Sequence, residues 1–404
     1  MPAALLPSPL RRLVGIGGGA AIFCLIAGQA AAAWSWAQHR EGSDLWLTAS
    51  QNGTKVYDLR LGAAGSIAEL HYVPDGDQDL LANPYGDNDT DRVIQWTLWS
   101  DSLSAMSDGV SVPFNEDLAG SSDDVFSPTV AVSSGRSAVD IYAVPQDQWD
   151  QSLDGAMQAR YSCLTRYELQ PNGVLKIRRV VLTGSVANQS DGGGYDVYFE
   201  EWNPFKVGEN SFDAFALSLD STGTPDWWYS ADYNIPYYQY LPVGDSFGYA
   251  IAYHQSAPQT MPVIGVVFGT QELRIVSAAG AAGPVGRHVF NSMGWGSETP
   301  DDQGIALLPA LEMFDVPSQS VIDYTYSLVL RPGADASLKP QLESLAAATP
   351  APVLYGPNEA LPGELNAIVG QLRRNLTAPG VRTDHLAGLP SLRSYRSRTT
   401  RVGQ

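Results

Sequence analysis

Cysteine is nearly absent from this 404-residue chain, which contains only Cys24 and Cys163. Cys24 lies in an N-terminal segment that we expect to be removed, so the mature protein cannot form an intramolecular disulfide. Such a chain has to fold by burial alone, and its length is sufficient for that. Cys163 lies in a strand-like stretch with no histidine close by in sequence. This predicts a buried small side chain rather than a nucleophile.

Histidine is also scarce, and no two of the five histidines have the spacing of metal ligands. Without an H-E-x-x-H or C-x-x-C motif, the sequence predicts no zinc site. Two acid-rich runs, 75–79 and 87–91, alternate aspartates in a way that can surround calcium. Neither has the sixth-position glycine or the distant glutamate of an EF-hand loop. We therefore predict solvated turns and no cofactor, with a calcium site as the alternative.

Basic side chains are few, and the formal net charge is −19. This excludes nucleic acid as a partner, since phosphate binding requires concentrated Lys and Arg. At the N-terminus, Arg11 and Arg12 precede the uncharged apolar run 13–28 and the small residues 30–33. This order predicts a signal peptide over 1–33 and a periplasmic or secreted protein. The alternative, a membrane anchor, requires about 20 apolar residues, so we expect no membrane span in the mature chain.

Long amphipathic helical patterns are absent before about residue 334. Up to that point the sequence is typical of short strands with period-two alternation, separated by turn residues such as Asn52-Gly53 and Asn172-Gly173. We predict an all-β fold, a large antiparallel β-sandwich over 34–333. Short helices are expected within 334–378. A basic tail, 379–404, is expected to be disordered, with docking onto an acidic polymer as the alternative.

Aromatic side chains are concentrated in the segment 226–240, which includes Trp227, Trp228 and Tyr238 together with aspartates and prolines. Aromatic rings can stack on sugar rings while carboxylates and phenols bind the hydroxyls. The same side chains could instead plug one end of the sandwich, because aromatic burial is strongly stabilising. With Trp202 and Tyr253 elsewhere in the chain, we favour a sugar cleft.

Three motifs in sequence order resemble the galactose-mutarotase-like, or supersandwich, carbohydrate superfamily. Residues 89–96 contain Arg92 and Gln95 in an arginine-x-x-glutamine element, residues 200–208 contain Asn203 in an asparagine-proline loop, and residues 321–333 resemble the closing strand. The resemblance implies the fold and a sugar cleft to which Arg92 contributes. The H-x-Y-F-N-L and E-x-Q-x-x-P motifs of the epimerases are missing. The same fold serves lyases, hydrolases and non-catalytic modules.

We therefore predict a glycan or oligosaccharide as the partner and a polysaccharide or oligosaccharide hydrolase or lyase as the function. The alternatives are a non-catalytic glycan-binding or exopolysaccharide-processing factor and, third, an aldose mutarotase. Acid–base chemistry on a sugar requires a proton donor and a base or nucleophile. The predicted catalytic residues are Glu200, Glu201, His254 and Glu312. The predicted substrate-binding residues are Arg92, Gln95, Trp202, Asn203, Trp227, Trp228, Tyr238 and Tyr253. The sequence predicts no particular oligomeric state.

Overall fold

Strands dominate the structure, a computed structural model that describes residues 33–41, 44–61, 66–81, 95–100, 112–115, 125–126, 129–134, 138–143, 146–147, 158–159, 161–183, 195–206, 212–226, 229–230, 241–243, 247–277, 283–295 and 304–377. The strands of the first half are β1 (Trp34–Glu41), β2 (Asp44–Gln51), β3 (Thr54–Leu61), β4 (Ile67–Tyr72), β5 (Gln78–Asp79), β6 (Gln95–Ser100), β7 (Val112–Asn115), β8 (Val125–Phe126), β9 (Thr129–Ser134), β10 (Ala138–Ala143), β11 (Gln146–Asp147), β12 (Gln158–Ala159), β13 (Tyr161–Leu169) and β14 (Leu175–Thr183).

The second half adds longer strands and two helices. Its strands are β15 (Tyr195–Lys206), β16 (Ala214–Ala216), β17 (Ser218–Leu219), β18 (Pro225–Asp226), β19 (Tyr229–Ser230), β20 (Leu241–Pro242), β21 (Tyr249–Tyr253), β22 (Val263–Val267), β23 (Arg274–Val276), β24 (Val285–Trp295), β25 (Gly304–Val316), β26 (Val321–Arg331) and β27 (Val353–Tyr355). The helices are α1 (Leu338–Ala348) and α2 (Gly363–Thr377), and a 3-10 turn covers Val73–Asp75.

Three sheets carry most of the strands. The N-terminal sheet has the order β1-β2-β3-β4-β5, and a six-stranded sheet has the order β20-β24-β25-β15-β6-β7. An eleven-stranded sheet has the main order β19-β16-β21-β22-β26-β14-β13-β10-β9, with β23 and β27 off this path. Strand pairs are antiparallel in the described structure except β23 with β27, which are parallel. Neighbouring strands are therefore often distant in sequence, as with β14 and β26.

The main hydrophobic core lies between the sheets. Alternate residues of β15, such as Phe199 and Phe205, pack there with Ile177 and Val181 of β14 and with Leu59 of β3. Alternation along each strand sends every second side chain into this layer. The N-terminal, six-stranded and eleven-stranded sheets thus share one core, as in a β-sandwich.

The two helices cover the other face of the eleven-stranded sheet. Helix α1 packs Leu338 and Leu342 against β21 and β22. Helix α2 presents Leu365, Ile368 and Leu372, whose spacing gives one apolar face, to β13 and β14. The eleven-stranded sheet is therefore covered on both faces. Neither described helix joins the hydrophobic cluster on the outer face of the six-stranded sheet, which contains Ala306, Leu308 and Trp202.

The all-β fold with short C-terminal helices is confirmed. The predicted tail 379–404 and residues 1–32 lie outside the described residues. Among the residues that are described, no helix is long and apolar enough to cross a membrane. Strand β24 is not predicted by the alternating pattern, because its polar residues Arg287, His288 and Asn291 point to both faces and interrupt the alternation.

Candidate active site

Strand β15 divides the predicted site residues between two faces. Glu201 lies with Phe199 on the side of the core, whereas Glu200 and Trp202 lie on the outer face of the six-stranded sheet. Consecutive side chains of a strand point to opposite faces, so Glu200 and Glu201 cannot act together. We call the outer surface around Glu200, Trp202 and Glu312 the outer-face site.

Glu200 is a buried carboxyl group, with 5% of the residue exposed. The Tyr198 hydroxyl donates a hydrogen bond of 3.4 Å to Glu200 Oε1. Burial raises the pKa of Glu200 to about 8, and the hydrogen bond from Tyr198 opposes this rise. A carboxyl group with this pKa carries its proton at neutral pH, which suits a proton donor.

Asn291 of β24 lies fully buried beside Glu200 and also lowers its pKa. Its Oδ1 accepts a hydrogen bond from the backbone N–H of Ser292 at 2.8 Å. A side-chain hydrogen bond from Asn291 opposes the rise of the Glu200 pKa, but its geometry is too poor to satisfy Nδ2, which has no well-formed partner within the described part of the chain. A buried donor left unsatisfied costs about 1–3 kcal/mol. Asn291 therefore offers a donor that a ligand could satisfy.

Glu312 of β25 provides a second carboxyl group on the same face. Its Oε2 accepts a hydrogen bond of 2.5 Å from Nε of Arg287, and the two residues are opposite each other in the sheet register. Glu312 is also opposite Tyr198, and Glu200 is opposite Ala310, so the two glutamates are diagonal neighbours. Diagonal neighbours on adjacent antiparallel strands are about 7–8 Å apart.

Apolar side chains flank the two carboxyl groups. Trp202 is half-buried and packs on Ala306 and Leu308 of β25. At the other end of the site, Val285 and Phe314 are opposite each other and are 57% and 42% exposed. Apolar walls combined with a few convergent polar groups are typical of small-molecule sites.

Glu201 belongs to a polar network in the core. Both Glu201 and Arg179 of β14 have no exposed side-chain surface, and Arg179 Nε lies 3.1 Å from Glu201 Oε1. Arg179 also donates to the Thr165 hydroxyl at 2.8 Å. The Asn203 amide accepts a hydrogen bond from the hydroxyl of Tyr326 at 3.3 Å. These contacts join the two sheets of the sandwich and hold β15 in position.

Of the other predicted residues, Tyr253 and His254 lie away from the outer-face site, in and directly after β21 of the eleven-stranded sheet. Tyr253 is buried beneath α1 on the eleven-stranded sheet. His254 follows it, with Nδ1 3.5 Å from Asp213 Oδ2 and 3.1 Å from the Ser256 hydroxyl. Gln95 is opposite Trp202 in the backbone register of β6 and β15. The remaining predicted binding residues lie outside the described residues; they are Arg92, Trp227, Trp228 and Tyr238.

The structure thus brings together Glu200, Trp202 and Glu312, and it adds residues that the sequence analysis missed. These additions are Tyr198, Arg287 and Asn291. No local motif marks Arg287 or Asn291, because they meet Glu200 and Glu312 only through the pairing of β24 with β25. Among the described residues, no group of three or more His, Cys, Asp or Glu side chains could hold a metal ion.

No protein-family model matches the chain, and no curated protein matches it. Among solved structures it is similar to a galactose mutarotase-like protein from Clostridium acetobutylicum, at 10% identity and a TM-score of 0.41, covering 74% of this chain and 99% of that one. A putative mutarotase from Salmonella typhimurium is 10% identical, with a TM-score of 0.34 and coverage of 74% and 94%.

A polysaccharide lyase is 12% identical, with a TM-score of 0.36. The match covers 78% of this chain but only 34% of the lyase. Galactose mutarotase-like proteins are therefore among the distant structural neighbours, as the sequence resemblance predicted.

Proposed function

We propose that the protein is a carbohydrate-active enzyme that hydrolyses a glycosidic bond at the outer-face site. The observation that carries the proposal is the environment of the two glutamates. The pKa of Glu200 is raised to about 8 by burial, whereas Glu312 is paired with Arg287. Two carboxyl groups with different environments divide the roles of acid and base.

In the proposed reaction, Glu200 donates its proton to the leaving glycosidic oxygen as the bond between that oxygen and the anomeric carbon breaks. A water molecule forms the new bond to the anomeric carbon, and Glu312 accepts the proton that this water loses. A separation of about 6.5–9.5 Å between the carboxyl groups leaves room for water and leads to inversion at the anomeric carbon. Glu200 and Glu312 are diagonal neighbours in the sheet, with backbone positions about 7–8 Å apart, and the proposal is for the inverting reaction.

The remaining side chains fit a sugar ligand. The half-buried Trp202 offers a ring surface beside the carboxyl groups. The Asn291 amide can donate to a sugar hydroxyl, which would satisfy its buried Nδ2.

Export belongs to the proposal as well. N-terminal sequencing of protein recovered from a periplasmic or secreted fraction is expected to begin near Trp34, and an intact Met1 on cytoplasmic protein would contradict it.

The test is a glycan panel assayed for new reducing ends, for unsaturated uronates and for anomer interconversion. On any substrate found, Glu200→Gln is expected to lower kcat about 100-fold or more, since general acid catalysis contributes about 10²–10⁴-fold. Glu312→Gln is expected to have a comparable effect. Glu168→Gln is the matched control, because Glu168 is a part-exposed carboxylate on the eleven-stranded sheet.

Other outcomes would replace the proposal. Unsaturated products would indicate elimination, and anomer interconversion without cleavage would indicate a mutarotase. Glycan binding that depends on Trp202 but is unaffected by Glu200→Gln, with no turnover of any glycan, would indicate a binding protein.

A further inference from the structure

A cavity of about 390 Å³ lies away from the outer-face site, where the N-terminal sheet meets the eleven-stranded sheet. Its walls come from β1, β2 and β3, from the turn between β13 and β14, from the end of β26 and from α1. The volume is within the range of about 300–1,000 Å³ that is usual for small-molecule sites. None of its lining residues belongs to the outer-face site.

The Trp34 ring forms one wall and is held in a defined position. Gly173 lies directly against it, since a Cβ atom at Gly173 would be 2.3 Å from Cζ2 of Trp34. Gly173 also has a φ of +82°, a conformation that favours glycine. Tyr57 packs against Trp34 with ring centroids 6.2 Å apart and donates a hydrogen bond of 3.3 Å to the carbonyl oxygen of Gly173. The ring is therefore fixed before any ligand arrives.

The polar part of the lining includes three side-chain amides and one arginine, namely Gln51, Asn172, Gln341 and Arg331, together with the phenol of Tyr72. Each amide carries both a donor group and an acceptor, which matches hydroxyl groups that also donate and accept. No carboxylate is among the lining residues of this described cavity, so a cationic ligand would have no counter-ion. The guanidinium of Arg331 is already paired with Asp335 Oδ2 at 2.8 Å, and the chain has a net charge of −19. An anionic ligand is disfavoured for both reasons.

We propose that this cavity is a second carbohydrate-binding site, which takes an uncharged mono- or disaccharide unit. The sugar ring stacks on Trp34, and its hydroxyls exchange hydrogen bonds with the amide of Gln51 and accept one from Nε2 of Gln341, whose Oε1 already accepts a hydrogen bond of 2.8 Å from Arg331 Nη1. The inference does not depend on catalysis at Glu200, because the two sites share no residue. In a longer glycan this site would hold a part of the chain remote from the bond that is cleaved.

The test is calorimetric titration of the full-length Glu200→Gln protein, in which turnover is expected to be slow, with maltose, cellobiose and lactose. Galacturonate and glucosamine serve as charged probes. Saturable binding of at least one neutral disaccharide is expected, weakened at least 10-fold by Trp34→Ala and about 3-fold or more by Gln51→Ala. Because Gln51 is only partly buried, that variant should keep its melting temperature, which separates loss of binding from loss of folding.

Trp202→Ala is the control for the outer-face site and is expected to leave the binding that depends on Trp34 unchanged. If no neutral disaccharide binds, if the charged probes bind more tightly, or if Trp202→Ala rather than Trp34→Ala removes binding, the second site is refuted. Binding that depends on Trp34 in a protein without any glycan turnover would support this site while the proposed hydrolase fails.

Discussion

Replacing Glu200 by glutamine is expected to stabilise the protein while it removes the proton donor. The buried carboxyl group keeps its proton in the folded protein at pH values where the unfolded chain would lose it, because burial raises its pKa from the ordinary value of 4.5 to about 8. Glutamine keeps the shape and an acceptor for the Tyr198 hydroxyl but has no charge to bury. A gain in stability with a loss of function is expected where an active site is strained.

The size of the stabilisation expected from Glu200→Gln follows from the link between a pKa shift and the free energy of folding. A group whose pKa is raised on folding reduces stability as the pH rises from the unfolded pKa to the folded pKa. For Glu200 this window runs from 4.5 to about 8. At about 1.4 kcal/mol per pKa unit the upper limit is about 5 kcal/mol. Relaxation of the buried site reduces the expected effect to about 2–3 kcal/mol at pH 8.

Urea denaturation of both proteins at several pH values between 5 and 9 measures this effect. The parent protein and the Glu200→Gln variant should have similar free energies of unfolding near pH 5. As the pH rises to 8, the variant should become steadily more stable than the parent. Glu168→Gln, on the part-exposed surface, should show no such pH-dependent gain. A constant difference across the range, or a variant less stable than the parent at pH 8, would refute the assignment of Glu200 as a buried, protonated acid.

Three further predictions concern groups outside the outer-face site. Glu201→Gln or Arg179→Met alone should destabilise the protein by about 3–5 kcal/mol, because either substitution leaves a buried charge unpaired. A double-mutant cycle measured by urea denaturation should show strong coupling between the two residues. Additive losses of stability would contradict the ion pair. The hydrogen bond that His71 Nε2 donates to the Glu69 carboxylate raises the pKa of His71 from 6.5 to about 9, so the stabilisation from this pair is complete below pH 6.5 and is lost as the pH rises to 9. In the parent protein the free energy of unfolding should fall by about 1 kcal/mol over that interval, and His71→Gln should abolish this fall. The effect is small because the pair is partly exposed. Cys163→Ala should cost about 1–2 kcal/mol with activity retained, since the thiol is buried, and loss of activity in the folded variant would indicate a thiol mechanism.

The sequence alone determined the class of fold, because the evidence for it is local. Period-two alternation and turn dipeptides such as Asn172-Gly173 act over a few residues and specify short antiparallel strands. The leucine spacing of α2 and the burial of Cys163 were predicted for the same reason, and both occur in the structure. The pattern did not predict every strand: β1, β2 and β9 were missed as well as β24, which is polar on both faces.

The candidate site was decided by the tertiary structure. Glu200 and Glu201 are the same type of residue at adjacent positions, and nothing in the sequence indicates which of them faces the core. The packing of β15 decides it: Glu201 meets Arg179 of β14, and Glu200 meets Asn291 of β24. A pKa is set by burial and by partners that arrive from distant parts of the chain. The sequence therefore offered both glutamates as candidates, and only strand pairing distinguished the one whose pKa is raised by burial from the one in the ion pair.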